Sequence, residues 1–330
     1  MSKLIPQKLS PIEKVSFRGH KIYVKRDDLF IINRNNSVVN HQELSLTGNK
    51  ARKLHHFFYN HFSEISRIVS FGSVQSNMLY SLAVLAKTKD WALEFYVDHI
   101  PRNLKESPRG NYAAALLLGA DIREIPKNYF SDNSRVECFV REKVISDSSE
   151  VVFIPEGGAT SEAEIGLIIL AKEIKSWVNE SRIDNPKLML PSGTGTTALF
   201  LQKHLPFEVL TCACVGSREY LSMRFSQLEK NHREHPTILP VSTNSKSESK
   251  KFQFGSLHKE LYLLWQELKA KTEITFDLLY DPVGWVHMLA YLNSLELGKS
   301  QSIPTMIYLH QGGLLGNETM LQRYKRKFKM

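Results

Sequence analysis

Lys50 stands in the stretch Leu46-Thr47-Gly48-Asn49-Lys50-Ala51-Arg52-Lys53-Leu54, and its position gives it a chemical prospect. Gly48 and Asn49 tolerate backbone conformations that other residues avoid, so they mark a turn. Good helix formers follow, which predicts a helix over 51–62 with Lys50 at its entrance. Free N–H groups and partial positive charge gather at a helix start. That field disfavours an ammonium, and burial disfavours it further. A lysine amine kept neutral is a nucleophile that forms Schiff bases with carbonyl compounds. The competing reading makes Lys50, Arg52 and Lys53 a solvated basic face.

A second group is Ser192-Gly193-Thr194-Gly195-Thr196-Thr197, which follows an apolar strand at 187–191 and precedes a helix at 198–204. Two glycines let a ligand approach the backbone, four hydroxyls line the turn, and the helix start adds N–H donors. No Gly-Lys-Ser/Thr follows, so this is not a Walker loop. The glycine spacing also fails the dinucleotide fingerprint. A monophosphate is the natural guest. The third group is Gly72-Ser73-Val74-Gln75-Ser76-Asn77, between a strand at 67–71 and a helix at 78–87. Such a junction suits a carboxylate or phosphate; the plainer alternative is that Ser76 or Asn77 caps the helix.

These loops need elements to hold them. Strands are predicted at 21–25, 67–71, 94–97, 120–125, 151–154, 187–191, 210–215, 277–283 and 305–309. Helices are predicted at 51–62, 78–87, 111–118, 134–146, 161–178, 198–204, 257–272 and 286–297. Their alternation argues for a parallel α/β architecture. The Asn-rich segment 31–46 reads as a loop, and 231–251 as a mobile surface excursion. The last strand runs into His310-Gln311-Gly312-Gly313, a second glycine-rich turn.

With 330 residues the chain has room for two domains of roughly 150 residues each. Its net charge of +9 would suit a nucleic-acid partner. However, the basic residues are dispersed, apart from 323–329, which reads as a frayed, solvated tail. Small anionic ligands account for the excess equally well, and no nucleic-acid partner is expected. Cys138, Cys212 and Cys214 form no disulfide framework, and no metal-ligand spacing accompanies them. Cys212 and Cys214 share one face of a predicted buried strand and read as structural thiols in a reducing compartment. No signal peptide or membrane span is apparent, so a cytoplasmic protein without membrane association is expected.

The assembled pieces resemble the 1-aminocyclopropane-1-carboxylate deaminase/D-cysteine desulfhydrase family of pyridoxal-phosphate enzymes, of the tryptophan synthase β type. The resemblance runs from about residue 10 to residue 316. It is carried by 23–29 (Tyr-Val-Lys-Arg-Asp-Asp-Leu), 48–54, Gln75-Ser76-Asn77, Pro155-Glu156-Gly157-Gly158, 192–197, Asp281-Pro282-Val283 and His310-Gln311-Gly312-Gly313. It implies a two-domain, three-layer parallel-sheet architecture. A small α/β domain would span 51–165, a large one 1–50 and 166–330, with the cofactor in the cleft between them. By the same resemblance Lys50 carries pyridoxal 5′-phosphate covalently and moves protons. Gly193, Thr194, Gly195, Thr196 and Thr197 bind its phosphate, and Asn77 bonds its ring hydroxyl. Ser76, with Gln75 and nearby backbone N–H groups, holds the substrate carboxylate; in the family this serine also acts on substrate. Members are commonly homodimers.

Several positions depart from the family pattern. The tyrosine usual after Asp-Pro-Val is Gly284, and the acidic residue often next to it is Trp285. Gln311 replaces a hydroxyl residue or Leu, where it could bond the pyridine nitrogen without protonating it. Phe254 stands for another tyrosine, and Met78 for a polar residue. The expectation is a pyridoxal-phosphate lyase or deaminase acting on a small amino acid, foremost β-elimination from D-cysteine to a 2-oxo acid and ammonia. The alternatives are cyclopropane-amino-acid deamination, which the missing tyrosines disfavour, and a non-catalytic binding protein that keeps the fold.

Overall fold

The computed structural model describes residues 9–39, 42–129, 135–145, 149–240, 252–298 and 303–329. The chain divides into two compact units, Met1–Phe30 with Leu167–Met330, and Ile31–Gly166. The larger unit opens with β1 (Ile12–Phe17) and β2 (His20–Lys25). The smaller unit then holds β3 (Ile31–Val39), β4 (Gln42–Thr47), α1 (Gly48–Tyr59), β5 (Arg67–Phe71), α2 (Asn77–Lys89) and β6 (Ala92–Val97). It continues with α3 (Arg102–Glu106), α4 (Gly110–Leu117), β7 (Asp121–Glu124), α5 (Arg135–Phe139) and β8 (Val151–Ile154). Helix α6 (Ala163–Glu180) carries the chain back to the larger unit. There follow β9 (Pro186–Ser192), α7 (Thr196–His204), β10 (Val209–Ala213), α8 (Arg218–Leu228) and β11 (Thr237–Ile238). The chain closes with α9 (Lys259–Thr272), α10 (Asp281–Leu297), β12 (Thr305–Leu309) and α11 (Gly316–Phe328).

The smaller unit is built on a parallel sheet in the order β7-β6-β5-β8. Its inner strand β5 buries Ile68, Val69, Ser70 and Phe71 in succession, the continuous burial expected of a strand covered on both faces. The larger unit is a sheet in the order β1-β2-β12-β9-β10-β11, parallel except for the β1–β2 pair. Its core centres on Trp285, whose ring meets Phe17 at 5.3 Å, Phe276 at 5.5 Å and Tyr308 at 5.0 Å. Burying an aromatic side chain this completely contributes about 1.5–3 kcal/mol. In both sheets a strand ends, a short loop follows and a helix begins, so loop residues meet helix N-termini.

The α/β reading holds, and the local expectations at 31–46, 277–283 and 323–329 are corrected. The described residues of 31–46 are not a loop: β3 and β4 pair antiparallel with a register irregularity between Asn33 and Val38. Ile32, Leu44 and Leu46 are buried, and their alternation outweighs the turn-like asparagines. The smaller unit accordingly starts at Ile31, where the sequence placed its start at Ala51. Residues 277–283 form no strand. Asp277 Oδ1 accepts the N–H groups of Leu279 and Tyr280 at 2.8 and 2.6 Å, closing a turn that leads into α10 at Asp281. Residues 323–329 are not a frayed tail. They lie in or directly after α11, whose Tyr324 is buried and stacks on Tyr262 at 5.0 Å. Of the segment expected to be helical at 134–146, the described residues form α5 followed by a π-helical turn, Val140–Val144. Of the expected excursion 231–251, residues 241–251 lie outside the described residues, while 232–234 form a 3-10 turn and 237–238 form β11.

Candidate functional site

In the smaller unit Lys50 lies in the first turn of α1, two residues into a helix that begins at Gly48. Its Nζ donates to Asn49 Oδ1 at 3.1 Å. The solvated-basic-face alternative fails, because Arg52 and Lys53 are 0% and 4% exposed. Lys53 Nζ donates to the Gly157 carbonyl at 3.0 Å. Burial, and then the nearby Lys50, hold the Lys53 amine well below the ordinary lysine range. A Cβ on Gly158 would meet Lys53 Cδ at 3.6 Å and Met78 Cε at 2.5 Å, so the Lys50 helix and the start of α2 converge on Pro155-Glu156-Gly157-Gly158. Met78, which stands for a polar residue in the family pattern, is core.

Ser76 is the N-cap of α2, its Oγ accepting the Met78 N–H at 3.1 Å. The capping alternative is therefore correct for Ser76. It also leaves the ligand role open, since an accepting hydroxyl still has its own hydrogen to donate. Gln75 Nε2 donates to the Arg109 carbonyl at 3.0 Å. Asn77 Oδ1 accepts from Asn111 Nδ2 at 2.8 Å. The loop Gln75-Ser76-Asn77 is thus tied to the start of α4, and nothing in the sequence singled out Asn111.

The larger unit holds the Gly193–Thr197 turn. Gly195 has φ +79°, the left-handed region that glycine favours, and a Cβ there would meet Leu221 Cδ1 at 2.6 Å and also strike Phe225. Helix α7 starts at Thr196, so its free N–H groups face the turn. Thr194 and Thr196 hydroxyls lie 3.2 Å apart. Thr197 is 4% exposed, and its Oγ1 has no hydrogen-bond partner among the described residues. A buried orphan hydroxyl beside helix N–H donors fits the oxygen of a phosphate. Gln311 belongs to the same unit; its Nε2 donates to the Pro191 carbonyl at 2.8 Å, linking the end of β12 to the strand that feeds the turn. His310 beside it is fully buried, with Nε2 3.0 Å from the Thr275 carbonyl and Nδ1 3.4 Å from Asp281 Oδ2. Burial lowers its pKa, with Asp28 opposing, while burial and Asp277 push the Asp281 carboxyl well up.

The positions that depart from the family pattern have structural causes. A Cβ on Gly284 would lie 2.7 Å from the Tyr308 hydroxyl, which donates to Asp281 Oδ1 at 2.7 Å. The Tyr308 phenol therefore fills the space a side chain at 284 would need. Trp285 is core, with a buried Nε1 that has no partner among the described residues. Phe254 packs its ring on Tyr280 at 5.4 Å. Sequence reasoning missed Tyr280, yet a Cβ on Gly193 would lie 3.5 Å from its hydroxyl. Cys212 and Cys214 are buried free thiols with their sulfurs 4.0 Å apart. Among the described residues no group of His, Cys, Asp and Glu could hold a metal ion, and no helix is long and apolar enough to cross a membrane.

No family model matches the sequence. Individual proteins do. A protein of Thermotoga maritima named "Putative 1-aminocyclopropane-1-carboxylate deaminase" is 28% identical over 313 residues, covering 90% of each chain. A Pyrococcus horikoshii protein of the same name is 22% identical over 304 residues, covering 90% of this chain and 86% of its own. A rice protein named "Putative D-cysteine desulfhydrase 2, mitochondrial" is 24% identical over 204 residues, 55% of this chain and 47% of its own. Among solved structures, an ACC deaminase homologue superposes with a TM-score of 0.70 at 19% identity, covering 97% of both chains. Over nine-tenths of its length the chain is thus similar in sequence to proteins named putative 1-aminocyclopropane-1-carboxylate deaminases, over about half of it to one named a putative D-cysteine desulfhydrase, and it has the fold of the ACC deaminase homologue.

Proposed function

We propose that this chain is a pyridoxal-phosphate-dependent lyase that eliminates a β-substituent from a small amino acid, with D-cysteine as the foremost substrate. The observation that carries the cofactor is the Gly193–Thr197 turn, where a buried unpartnered Thr197 hydroxyl lies beside the N-terminus of α7. Thr194, Thr196 and Thr197 with the turn's N–H groups would hold the phosphate, Lys50 would hold the cofactor covalently, and Asn77 would bond its ring oxygen. When bound, pyridoxal 5′-phosphate supplies the electron sink for negative charge at the substrate Cα.

The chain's own residues do the rest. Ser76 donates its hydroxyl hydrogen to the substrate carboxylate, with the N–H groups at the start of α2 beside it. The Lys50 amine would take the proton from the substrate Cα. Departure of the β-thiol as sulfide and uptake of water then yield pyruvate and ammonia. Elimination is chosen over ring opening because Gly284 and Phe254 supply no phenol at the two positions where the family pattern has tyrosines.

The test begins with the absorption spectrum of the purified protein plus pyridoxal phosphate, followed by borohydride reduction and peptide mapping. A visible band and an adduct on Lys50 are expected, and their absence would end the enzymatic reading. A screen of D- and L-amino acids then reads 2-oxo acid and sulfide. Turnover of cyclopropane amino acids with D-cysteine untouched would overturn the choice of substrate.

A further inference from the structure

We propose that Asn111 is a positioning residue that fixes the orientation of the Asn77 side-chain amide, so that Asn77 presents an N–H donor, and not a carbonyl, to the cofactor's ring oxygen. This rests on the pyridoxal-phosphate reading above. The Gln75 backbone carbonyl, unlike a side-chain amide, cannot be reversed. Asn111 lies in the first turn of α4, 1% exposed, and its amide nitrogen approaches the Gln75 carbonyl at 2.9 Å. Only a donor can face a carbonyl oxygen, so that contact fixes Asn111 with Nδ2 toward the loop. The same nitrogen lies 2.8 Å from the Asn77 side chain. Its second hydrogen needs an acceptor there, so Asn77 turns Oδ1 toward Asn111. Both Asn111 hydrogens are then spent, and Asn77 Nδ2 is turned away from α4.

The consequence is chemical. A ring oxygen that carries negative charge is stabilised by a donor and repelled by a carbonyl. Free asparagine presents either end by rotating its amide through half a turn, and Asn111 removes that freedom. The arrangement has a cost, since Asn111 Oδ1 is itself buried without a partner among the described residues. A buried unsatisfied carbonyl is retained most readily where the rest of the group is needed.

The experiment is a double-mutant cycle read by cofactor titration. Asn77→Ala removes the donor. Asn111→Asp, equal in size, offers an acceptor where Asn77 Oδ1 needs a donor, and so turns the Asn77 amide over. Each single variant is expected to weaken pyridoxal-phosphate binding by about tenfold or more, while Asn111→Asp in the Asn77→Ala background changes it by less than about threefold. The pH midpoint of the visible band of the lysine-bound cofactor should shift in both single variants and move no further in the double variant. The melting temperature of the cofactor-free protein checks the fold. If Asn111→Asp does not fold, Asn111→Leu, which has neither donor nor acceptor, is read by the same cycle. Additive effects on affinity and on the band midpoint would show that Asn111 merely supports the fold and would overturn the proposal. If the unmodified chain bound no pyridoxal phosphate, the functional reading would fall and this inference with it, an outcome distinct from additivity.

Discussion

Thr197→Val should raise the stability of the cofactor-free protein while weakening its hold on the cofactor. The perturbation is nearly pure, because valine keeps the β-branched shape and replaces one hydroxyl with a methyl. Thr197 is 4% exposed, and its Oγ1 has no partner among the described residues. A buried donor left unsatisfied costs about 1–3 kcal/mol, so its removal should stabilise the cofactor-free state by about 1 kcal/mol. For a unit of this size that is a rise in melting temperature of about 2–4 °C. With phosphate bound the sign reverses. A hydrogen bond to a charged oxygen contributes about 1.5–3 kcal/mol, so affinity should fall roughly ten- to a hundredfold. Binding should not vanish, because the N–H groups at the start of α7 remain. The assay is thermal unfolding of the stripped protein, paired with titration by pyridoxal phosphate. A lower melting temperature without cofactor would show that the hydroxyl is satisfied within the fold. Unchanged affinity would show that the turn does not hold the phosphate. Either result refutes the reasoning.

Gly195→Ala combines a left-handed backbone, costing an alanine about 1–2 kcal/mol, with a Cβ driven toward Leu221 and Phe225, costing about 1–3 kcal/mol more. It should lower the melting temperature and weaken phosphate binding together; a variant that keeps both would contradict the geometry of the turn. Gly284→Ala should destabilise the larger unit by about 1–3 kcal/mol, because the new Cβ meets the Tyr308 hydroxyl. In urea unfolding its cost should shrink in the Tyr308→Phe background, and strict additivity would count against the steric account. His55, pushed down to about 4 mainly by burial and next by Arg52, contributes stability that is lost as pH falls from its ordinary 6.5 toward 4. The unfolded chain takes up that proton first, so the loss, discounted for partial exposure, is about 1 kcal/mol. Comparing urea midpoints at pH 7 and 5 with those of His55→Gln should show a smaller pH dependence in the variant.

The strands and helices that carry the site could be read from the sequence because each is a local signal. Ile68, Val69 and Phe71 lie in a short β-prone, mostly apolar stretch, Ser76 stands where a cap belongs, and Gly193 and Gly195 interrupt a strand-to-helix junction. Where reading failed, the deciding contact was distant in sequence. The pairing of β3 and β4 depends on burying Ile32, Leu44 and Leu46, while the intervening asparagines send the opposite message. The basic end of α11 looked like a tail because its apolar residues, Met320, Tyr324 and Phe328, recur only once per turn among lysines and arginines.

The site shows the same limit with greater consequence. Charge type suggested that Arg52 and Lys53 face water, yet both are buried, so residue class alone could not separate a solvated face from a buried one. The family tyrosine missing at 284 looked like the loss of one functional group. In the fold it is also a steric exchange, in which the Tyr308 hydroxyl reaches through the space beside Gly284 to Asp281, 27 residues away from it in sequence. Gly284 is therefore not simply an absent phenol that Gly284→Tyr would restore. With Tyr308 in place, a ring at 284 has no room to enter. Restoring it would require removal of the Tyr308 hydroxyl, which would leave Asp281 without that donor. The departure at 284, the turn of β12 into His310 and Gln311, and the entry to α10 are coupled through one buried carboxyl.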